Sequence, residues 1–156
     1  MPGQFEGFGI ALLYPDSWTI DSEVEGTSVS IESPSGAFLT ITKCARLTDA
    51  EEALTKARSA MHEEYDEVER EAVVKQFSGL TLSGDVLRFV YLDLIVTSQL
   101  LLLAHAGHNY LVQTQAEDRD HDRLQPVFDA MLTSLCQHLT GQRDQLSKGS
   151  SKTSDK

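Results

Sequence analysis

A chain of 156 residues with 40% hydrophobic content is long enough to bury a core without a disulfide or a metal. Its formal net charge of −11 repels phosphate backbones and anionic lipid, which argues against nucleic acid and membrane surfaces as partners. The opening residues lack the pattern of a secretory signal, and no apolar run is long enough to cross a bilayer, so we expect a cytoplasmic protein.

The first part of the chain has the pattern of β-strands. Residues 8–14 are apolar and strand-like, and Pro15 begins a turn. Residues 27–32 alternate with the period of a strand, residues 33–36 have the composition of a hairpin turn, and residues 37–44 supply the returning strand. We therefore expect one early strand followed by a hairpin.

A helix is predicted after this hairpin. Thr48 and Glu51 have the spacing of a capping box, which places the start of the helix at Thr48. A narrow stripe of mostly small residues then recurs at helical spacing, as expected for a helix lying close to a sheet. Acidic residues from Glu63 onwards predict that the helix ends there, because carboxylates are unfavourable at a helix C-terminus.

Four further strands are predicted at residues 68–77, 86–92, 97–105 and 110–115. Ser83 and Gly84 are interpreted as a turn or a bulge between the first two. The last three strands carry apolar residues at both odd and even positions, and such strands have to be covered on both faces. We therefore expect helices on each side of the sheet.

The last predicted element is a helix over residues 122–139, with a wide apolar stripe and with Pro126 in its first turn. From Thr140 the composition shifts to glycine, serine, glutamine and lysine. This composition predicts a disordered tail over residues 140–156, following a single domain over residues 1–139.

The order of several short motifs resembles the PsbP-like family. The motifs are Tyr-Pro-Asp-Ser-Trp at residues 14–18, Ser-Pro-Ser-Gly at residues 33–36, and His-Asn-Tyr-Leu-Val at residues 108–112, before a helix with Phe-Asp-Ala-Met-Leu-Thr-Ser-Leu at residues 128–135. The resemblance spans about residues 5–138. This fold is shared by the oxygen-evolving subunit of photosystem II and the Ran-binding Mog protein.

The resemblance implies an α+β fold, in the form of an α/β/α sandwich. Its central sheet would be mostly antiparallel, with about six strands, and flanked by helices on both faces. It also implies a domain that acts by binding other proteins, although a shared fold does not by itself transfer a function. The shared motif residues have structural roles in turns and packing, so the resemblance assigns no binding residue.

Known catalytic and metal-binding patterns are absent from the sequence. There is no phosphate-binding loop, nucleophile elbow or zincin helix. His105 and His108 flank a predicted turn, but zinc requires three or four ligands and no third one is evident. The alternating aspartates at residues 118–122 begin like a calcium loop, but its sixth position is Arg123 instead of glycine. We therefore expect no metal and no cofactor.

The densest charge feature is an acidic segment, defined as Glu63, Glu64, Asp66, Glu67, Glu69 and Glu71. Two interpretations are open. The segment is either a solvated helix end and edge strand, where charges block unwanted pairing, or a surface that recognises a protein with a basic surface. In the second case its charges mainly speed association.

The predicted function is that of a non-enzymatic protein-binding or adaptor domain, because catalytic patterns are absent and the family resemblance implies binding. A chaperone-like escort of a client protein is one version, and it requires an exposed apolar groove beside the sheet. The alternative is a small-ligand-binding or enzymatic domain with a pocket between sheet and helix. His105, Gln113 and Gln115 are the candidate lining residues for that pocket.

Overall fold

The computed structural model describes residues 2–22 and 26–141, and these residues form nine strands and two helices. The helices are α1 (Leu47–Glu64) and α2 (Asp118–Leu139). The strands are β1 (Gly3–Gly7), β2 (Ile10–Tyr14), β3 (Thr19–Ser22), β4 (Ser28–Glu32), β5 (Phe38–Cys44), β6 (Glu69–Phe77), β7 (Leu80–Tyr91), β8 (Leu94–His105) and β9 (His108–Glu117). Residues 142–156 of the predicted tail lie outside the described residues.

The described strands form a large sheet in the order β3-β4-β5-β9-β8-β7-β6 and a small sheet of β1 and β2. Every neighbouring pair is antiparallel. The predicted α+β class and antiparallel sheet are therefore confirmed, with seven strands in the large sheet instead of about six. The strand predicted at residues 8–14 pairs in the small sheet, while β3 joins the large one although all its residues are exposed.

Successive residues of β8 pack into two separate apolar clusters. Leu100 belongs to a cluster with Leu54 of α1, whereas Leu101 belongs to the main core with Phe128 and Leu132 of α2. Neighbouring residues of a strand point to opposite faces of the sheet. We call the face that carries Leu100 the α1 face and the face that carries Leu101 the α2 face. Neither helix is long and apolar enough to cross a membrane.

Helix α1 begins at Leu47, not at the predicted capping box of Thr48 and Glu51. The residue before the helix is Arg46, whose backbone N–H donates to Asp49 Oδ2 at 3.1 Å. The Arg46 guanidinium also donates to the same carboxylate. The start of the helix is displaced because Asp49, and not Glu51, closes the capping interaction.

Helix α2 begins at Asp118, four residues before its predicted start. Residues 118–121, which the sequence pattern places before the helix, form its first turn, where Asp118 and Asp120 complement the positive end of the helix dipole. Pro126 consequently lies inside the helix and not in its first turn. Because proline has no N–H, it donates no hydrogen bond to the carbonyl of Asp122.

Ser83 and Gly84 lie inside strand β7 and do not form a turn. Pairing continues on both sides of Gly84, which lies opposite Val73 of β6 and Leu101 of β8. A Cβ atom at this position would overlap the backbone oxygen of Leu100. The glycine therefore permits a close approach of two backbones in the middle of the sheet.

Candidate functional site

The acidic segment runs from the end of α1 to the edge of the large sheet. Its first two members end α1, the next two lie in the connection, and the last two belong to β6. All six residues are exposed. Strand β6 is the last in the described sheet and pairs only with β7 there, so its outer backbone is available to solvent. The segment is therefore a continuous, accessible border of the molecule.

An exposed apolar patch lies at the turn between β7 and β8. We call it the apolar tip and define it as Val90, Tyr91, Leu92 and Ile95, whose exposed fractions are 58%, 50%, 75% and 49%. Isolated exposed hydrophobic residues are ordinary, but four on a single hairpin form a patch of the kind that marks interaction sites.

The turn at the apolar tip has an unusual backbone. Leu92 and Asp93 both have positive φ angles, of 51° and 64°, and they connect the paired residues Tyr91 and Leu94. Two-residue turns with positive φ at both positions favour Asn-Gly or Asp-Gly, because a β-carbon disfavours this conformation. A leucine is therefore held at an unfavourable backbone angle while its side chain is exposed.

Aromatic contacts connect the acidic segment to the apolar tip. Tyr65, which lies within the acidic segment, stacks on Phe89 with ring centroids 4.2 Å apart and an interplanar angle of 18°. The same ring meets Tyr91 of the tip edge-on, at 5.9 Å and 86°. The acidic segment and the apolar tip therefore form one surface.

A buried ion pair connects the elements that carry this surface. Asp85 of β7 accepts hydrogen bonds from Arg58 Nη1 at 2.7 Å and Arg70 Nε at 2.8 Å, and only 3% of its side chain is exposed. Burial alone raises the pKa of Asp85, but the hydrogen bonds from Arg70 and Arg58 outweigh burial and leave it below its ordinary value. The carboxylate joins α1 and β6, which carry the acidic segment, to β7, which carries part of the apolar tip.

A cavity of about 260 Å³ lies on the α2 face of the large sheet, beside the first half of α2. It is lined from β6, β7, β8, β9 and α2. The polar lining includes Glu71, Lys75, Arg88, Thr97, Gln99 and His121. This is the sheet–helix pocket that the alternative function requires, with lining residues that differ from the predicted ones.

Two buried side chains of this cavity carry polar atoms without a hydrogen-bond partner in the described part of the chain. They are Thr97 Oγ1 and Gln99 Nε2, and the two residues are only 4% and 6% exposed. Leaving such a group buried and unpaired costs about 1–3 kcal/mol, and native proteins contain few examples. The two atoms therefore point to a role outside the packing of the core.

The predicted lining residues His105, Gln113 and Gln115 do not come together in this cavity. His105 lies opposite His108 at the β8–β9 turn, and Gln113 Nε2 donates to Ser98 Oγ at 3.1 Å. Gln113 and Gln115 flank Thr114, which does line the cavity, so they point to the opposite face. The available signal was a pair of polar residues, Thr97 and Gln99, at strand spacing within an apolar run.

An apolar groove of about 610 Å³ lies along the contact between β2 and α2. Its lining includes Leu13 and Tyr14 of β2 together with Pro126, Val127 and Met131 of α2. Beside it, the backbone N–H of Leu13 donates to Ser134 Oγ at 2.8 Å and connects β2 to α2. An apolar groove is what the escort hypothesis requires, and that hypothesis stays a prediction.

The metal candidates from the sequence do not form a cluster. Within residues 2–22 and 26–141, no group of three or more histidine, cysteine, aspartate or glutamate side chains could hold a metal ion. The aspartates at residues 118–122 lie in a helix and not in a loop, and Asp120 Oδ1 accepts a hydrogen bond from Arg123 at 3.1 Å. The calcium-loop pattern therefore has no structural counterpart.

No protein-family model matches this chain, and no curated protein matches its sequence. Solved structures do match. PsbP of Synechocystis sp. PCC 6803 has a TM-score of 0.57 and 14% identity, over 85% of this chain and 90% of that one. The Ran-binding protein Mog1p of Saccharomyces cerevisiae has a TM-score of 0.52 and 10% identity, over 90% and 93%. A Pseudomonas aeruginosa protein of unknown function has a TM-score of 0.50 and 10% identity, over 86% and 95%.

At these identities a structural match establishes the fold and leaves the function open. The matches extend over most of this chain and most of each matched chain, so they concern the whole architecture and not a single motif. They confirm the resemblance that the order of the sequence motifs indicated. This chain has a PsbP/Mog1-like α+β fold.

Proposed function

We propose that this chain is a protein-binding domain that docks through the apolar tip and the acidic segment. The observation that carries the proposal is Leu92, which is 75% exposed at a φ of 51°. This backbone conformation costs a residue with a β-carbon about 1–2 kcal/mol. While the leucine side chain is exposed, it makes few contacts that could offset this cost within the fold. Burial of the same side chain against a partner would stabilise the complex.

The surface indicates the chemistry of its partner. Protein interfaces commonly have an apolar centre and a polar rim, and the apolar tip beside the acidic segment has this arrangement. The matching surface is an apolar pocket bordered by lysine and arginine. The carboxylates of the rim would steer such a partner during approach, which agrees with the basic-partner interpretation of the sequence.

The fold comparison supports this class of function. Mog1p of yeast, which shares the fold, is by its name a Ran-binding protein. Binding another protein is thus one use to which this architecture is put. The identity of 10% does not extend the partner of that protein to this chain, so the proposal rests on the apolar tip itself.

Replacing the exposed leucine tests the proposal. We expect the purified Leu92→Asn variant to fold at least as stably as the wild type, because asparagine tolerates positive φ better than leucine. A partner recovered with the wild-type chain should bind this variant at least about 30-fold more weakly, the effect of losing a central contact of about 2 kcal/mol. Calorimetry with the purified partner measures the affinity.

The control for this experiment is Leu47→Asn, which alters another exposed leucine, at the start of α1 and away from the tip. We expect the control variant to keep its affinity for the same partner. Equal binding by both variants, or a partner lost from both, would show that the apolar tip is not the docking surface.

The acidic segment is tested by removing charge without changing shape. We expect a variant with Glu63→Gln, Glu64→Gln and Glu67→Gln to associate with the partner more slowly and with a weaker salt dependence, because exposed charges act mainly on the encounter. The melting temperature should barely change, since single surface charges contribute little stability. Stopped-flow mixing at several salt concentrations measures the rate.

A matched control removes similar charges elsewhere, through Glu51→Gln and Glu52→Gln at the start of α1 together with Glu6→Gln in β1. The control should retain most of the wild-type association rate. If the two variants associate equally fast, the acidic segment is a solvated border and the partner recognises the tip alone.

A further inference from the structure

The cavity on the α2 face combines features that packing of the fold does not explain. It lies between four strands and a helix, so its walls belong to regular elements and not to loops. Its volume of about 260 Å³ is slightly below the range of about 300–1,000 Å³ that is typical of drug-sized ligand sites. Because a water molecule occupies about 30 Å³ in the liquid, the cavity has the volume of roughly nine water molecules, which is the size of a small metabolite.

We propose that this cavity binds a small carboxylate that carries a second oxygen function, such as a short hydroxy acid or keto acid. Its anchors would be Arg88, Gln99 and Thr97. This inference goes beyond the proposed docking function and does not depend on it, because none of the three anchors belongs to the apolar tip or to the acidic segment.

The positions of the anchors allow them to act on one ligand. Arg88 of β7 lies directly opposite Thr97 of β8, and Gln99 follows two residues later on the same strand. Opposed residues in neighbouring antiparallel strands have Cβ atoms about 4.5–5.5 Å apart and point to the same face. A guanidinium, a hydroxyl and an amide therefore converge on the cavity.

The charge of the anchors indicates an anionic ligand. Arg88 forms no ion pair within the described part of the chain, although the chain carries an excess of acidic residues. Gln99 Nε2 is a buried donor without an acceptor. A guanidinium binds carboxylate oxygens in a fork geometry, and an amide N–H completes the set of donors.

The remaining lining limits the ligand to a small monoanion. Lys75 already lies 3.6 Å from Asp129, and Glu71 contributes a negative charge to the same lining. Among the described lining residues, Arg88 is a cation without an ion pair, and Glu69 of β6 lies directly opposite it, which disfavours a phosphate dianion. Apolar walls from Val86 and Phe128 suit a short carbon chain, and Thr97 Oγ1 can bond the second oxygen of the ligand.

The test is a calorimetric titration of the full chain with lactate, pyruvate, glycolate, glycerol and inorganic phosphate as separate probes. We expect at least one hydroxy or keto acid to bind with one-to-one stoichiometry, with glycerol and phosphate at least tenfold weaker. Gln99→Leu and Arg88→Gln should each lower the affinity at least tenfold. Arg119→Gln, which removes an exposed arginine outside the cavity, should leave the affinity unchanged.

Melting temperatures of the variants distinguish the loss of an anchor from unfolding of the protein. Gln99→Leu replaces an unpaired buried amide with an apolar side chain of similar size, so the variant should melt at or above the wild-type temperature. If the stable variant no longer binds the ligand, the loss is due to the missing anchor and not to unfolding. The proposal is overturned if no acid of the panel binds, if binding survives both anchor substitutions, or if phosphate binds best.

Discussion

Replacing Arg58 and Arg70 together with alanine is expected to lower the free energy of unfolding by about 3 kcal/mol at neutral pH. The double variant leaves the Asp85 carboxylate buried and without either of its hydrogen-bonded partners. Breaking a buried ion pair in this way costs about 3–5 kcal/mol, and we take the lower end because the side chain of Arg70 is 49% exposed and its attraction is screened. Denaturant unfolding measures the change.

The control for this loss is a third substitution, Asp85→Leu, in the same background. It removes the buried charge, so we expect much of the lost stability to return. Each single arginine variant should lose less than the double variant, because the other arginine still donates to Asp85. A double variant as stable as the wild type would show that the carboxylate is solvated and not paired.

The pH dependence of the wild type follows from the lowered pKa of Asp85. A carboxylate with a lowered folded-state pKa contributes stability above its unfolded-state pKa of about 3.9, and this contribution is lost as the pH falls through the folded-state value. In the double arginine variant, burial acts alone and raises the pKa, so destabilisation should appear as the pH rises above about 4. The difference in stability between the two proteins should therefore shrink in acid.

Replacing Gly84 with valine is expected to cost about 3 kcal/mol or more and to lower the yield of folded protein sharply. The new β-carbon would overlap the backbone oxygen of Leu100 between two central strands, where backbone atoms cannot move aside independently. Overpacking typically costs about 1–3 kcal/mol, and a collision with backbone lies at or beyond the upper end. Denaturant unfolding and circular dichroism measure the effect.

Ser83→Val is the matched control, because Ser83 is exposed and immediately precedes Gly84 in the same strand. Valine favours strands, so this variant should unfold at or slightly above the wild-type denaturant midpoint. If Gly84→Val is as stable as Ser83→Val, β7 and β8 are not held as closely at this point as the structure indicates.

Gly84 also shows where sequence patterns reach their limit. A Ser-Gly pair between apolar runs has the composition of a turn, and only pairing with two neighbouring strands shows that it lies in mid-strand. The long apolar runs of β8 and β9 and the apolar stripe of α2 were predictable, because each repeats its signal over many residues. The start of α2 was not predictable, because Asp118, Asp120 and Asp122 are all good helix-capping residues and the sequence does not favour one of them.

The candidate sites depend on contacts that sequence spacing does not reveal. Asp85 is 27 residues from Arg58 and 15 residues from Arg70, so the ion pair exists only once α1 and β6 are in place. The cavity likewise requires the register that sets Arg88 opposite Thr97. Only the acidic segment was visible in advance, because its six charges fall within residues 63–71.

The hydrogen bond from Leu13 to Ser134 joins residues that are 121 positions apart. A ribosome adding about 5–20 residues per second takes roughly 6 to 24 seconds to pass from the first to the second. During that time, Ile10 and Leu12 of β2 have no α2 to pack against, although both are almost fully buried in the finished core. The apolar residues of β2 therefore stay without their main packing partner in the nascent chain until α2 has been synthesised, and such transiently exposed apolar surface makes incompletely folded chains prone to aggregate.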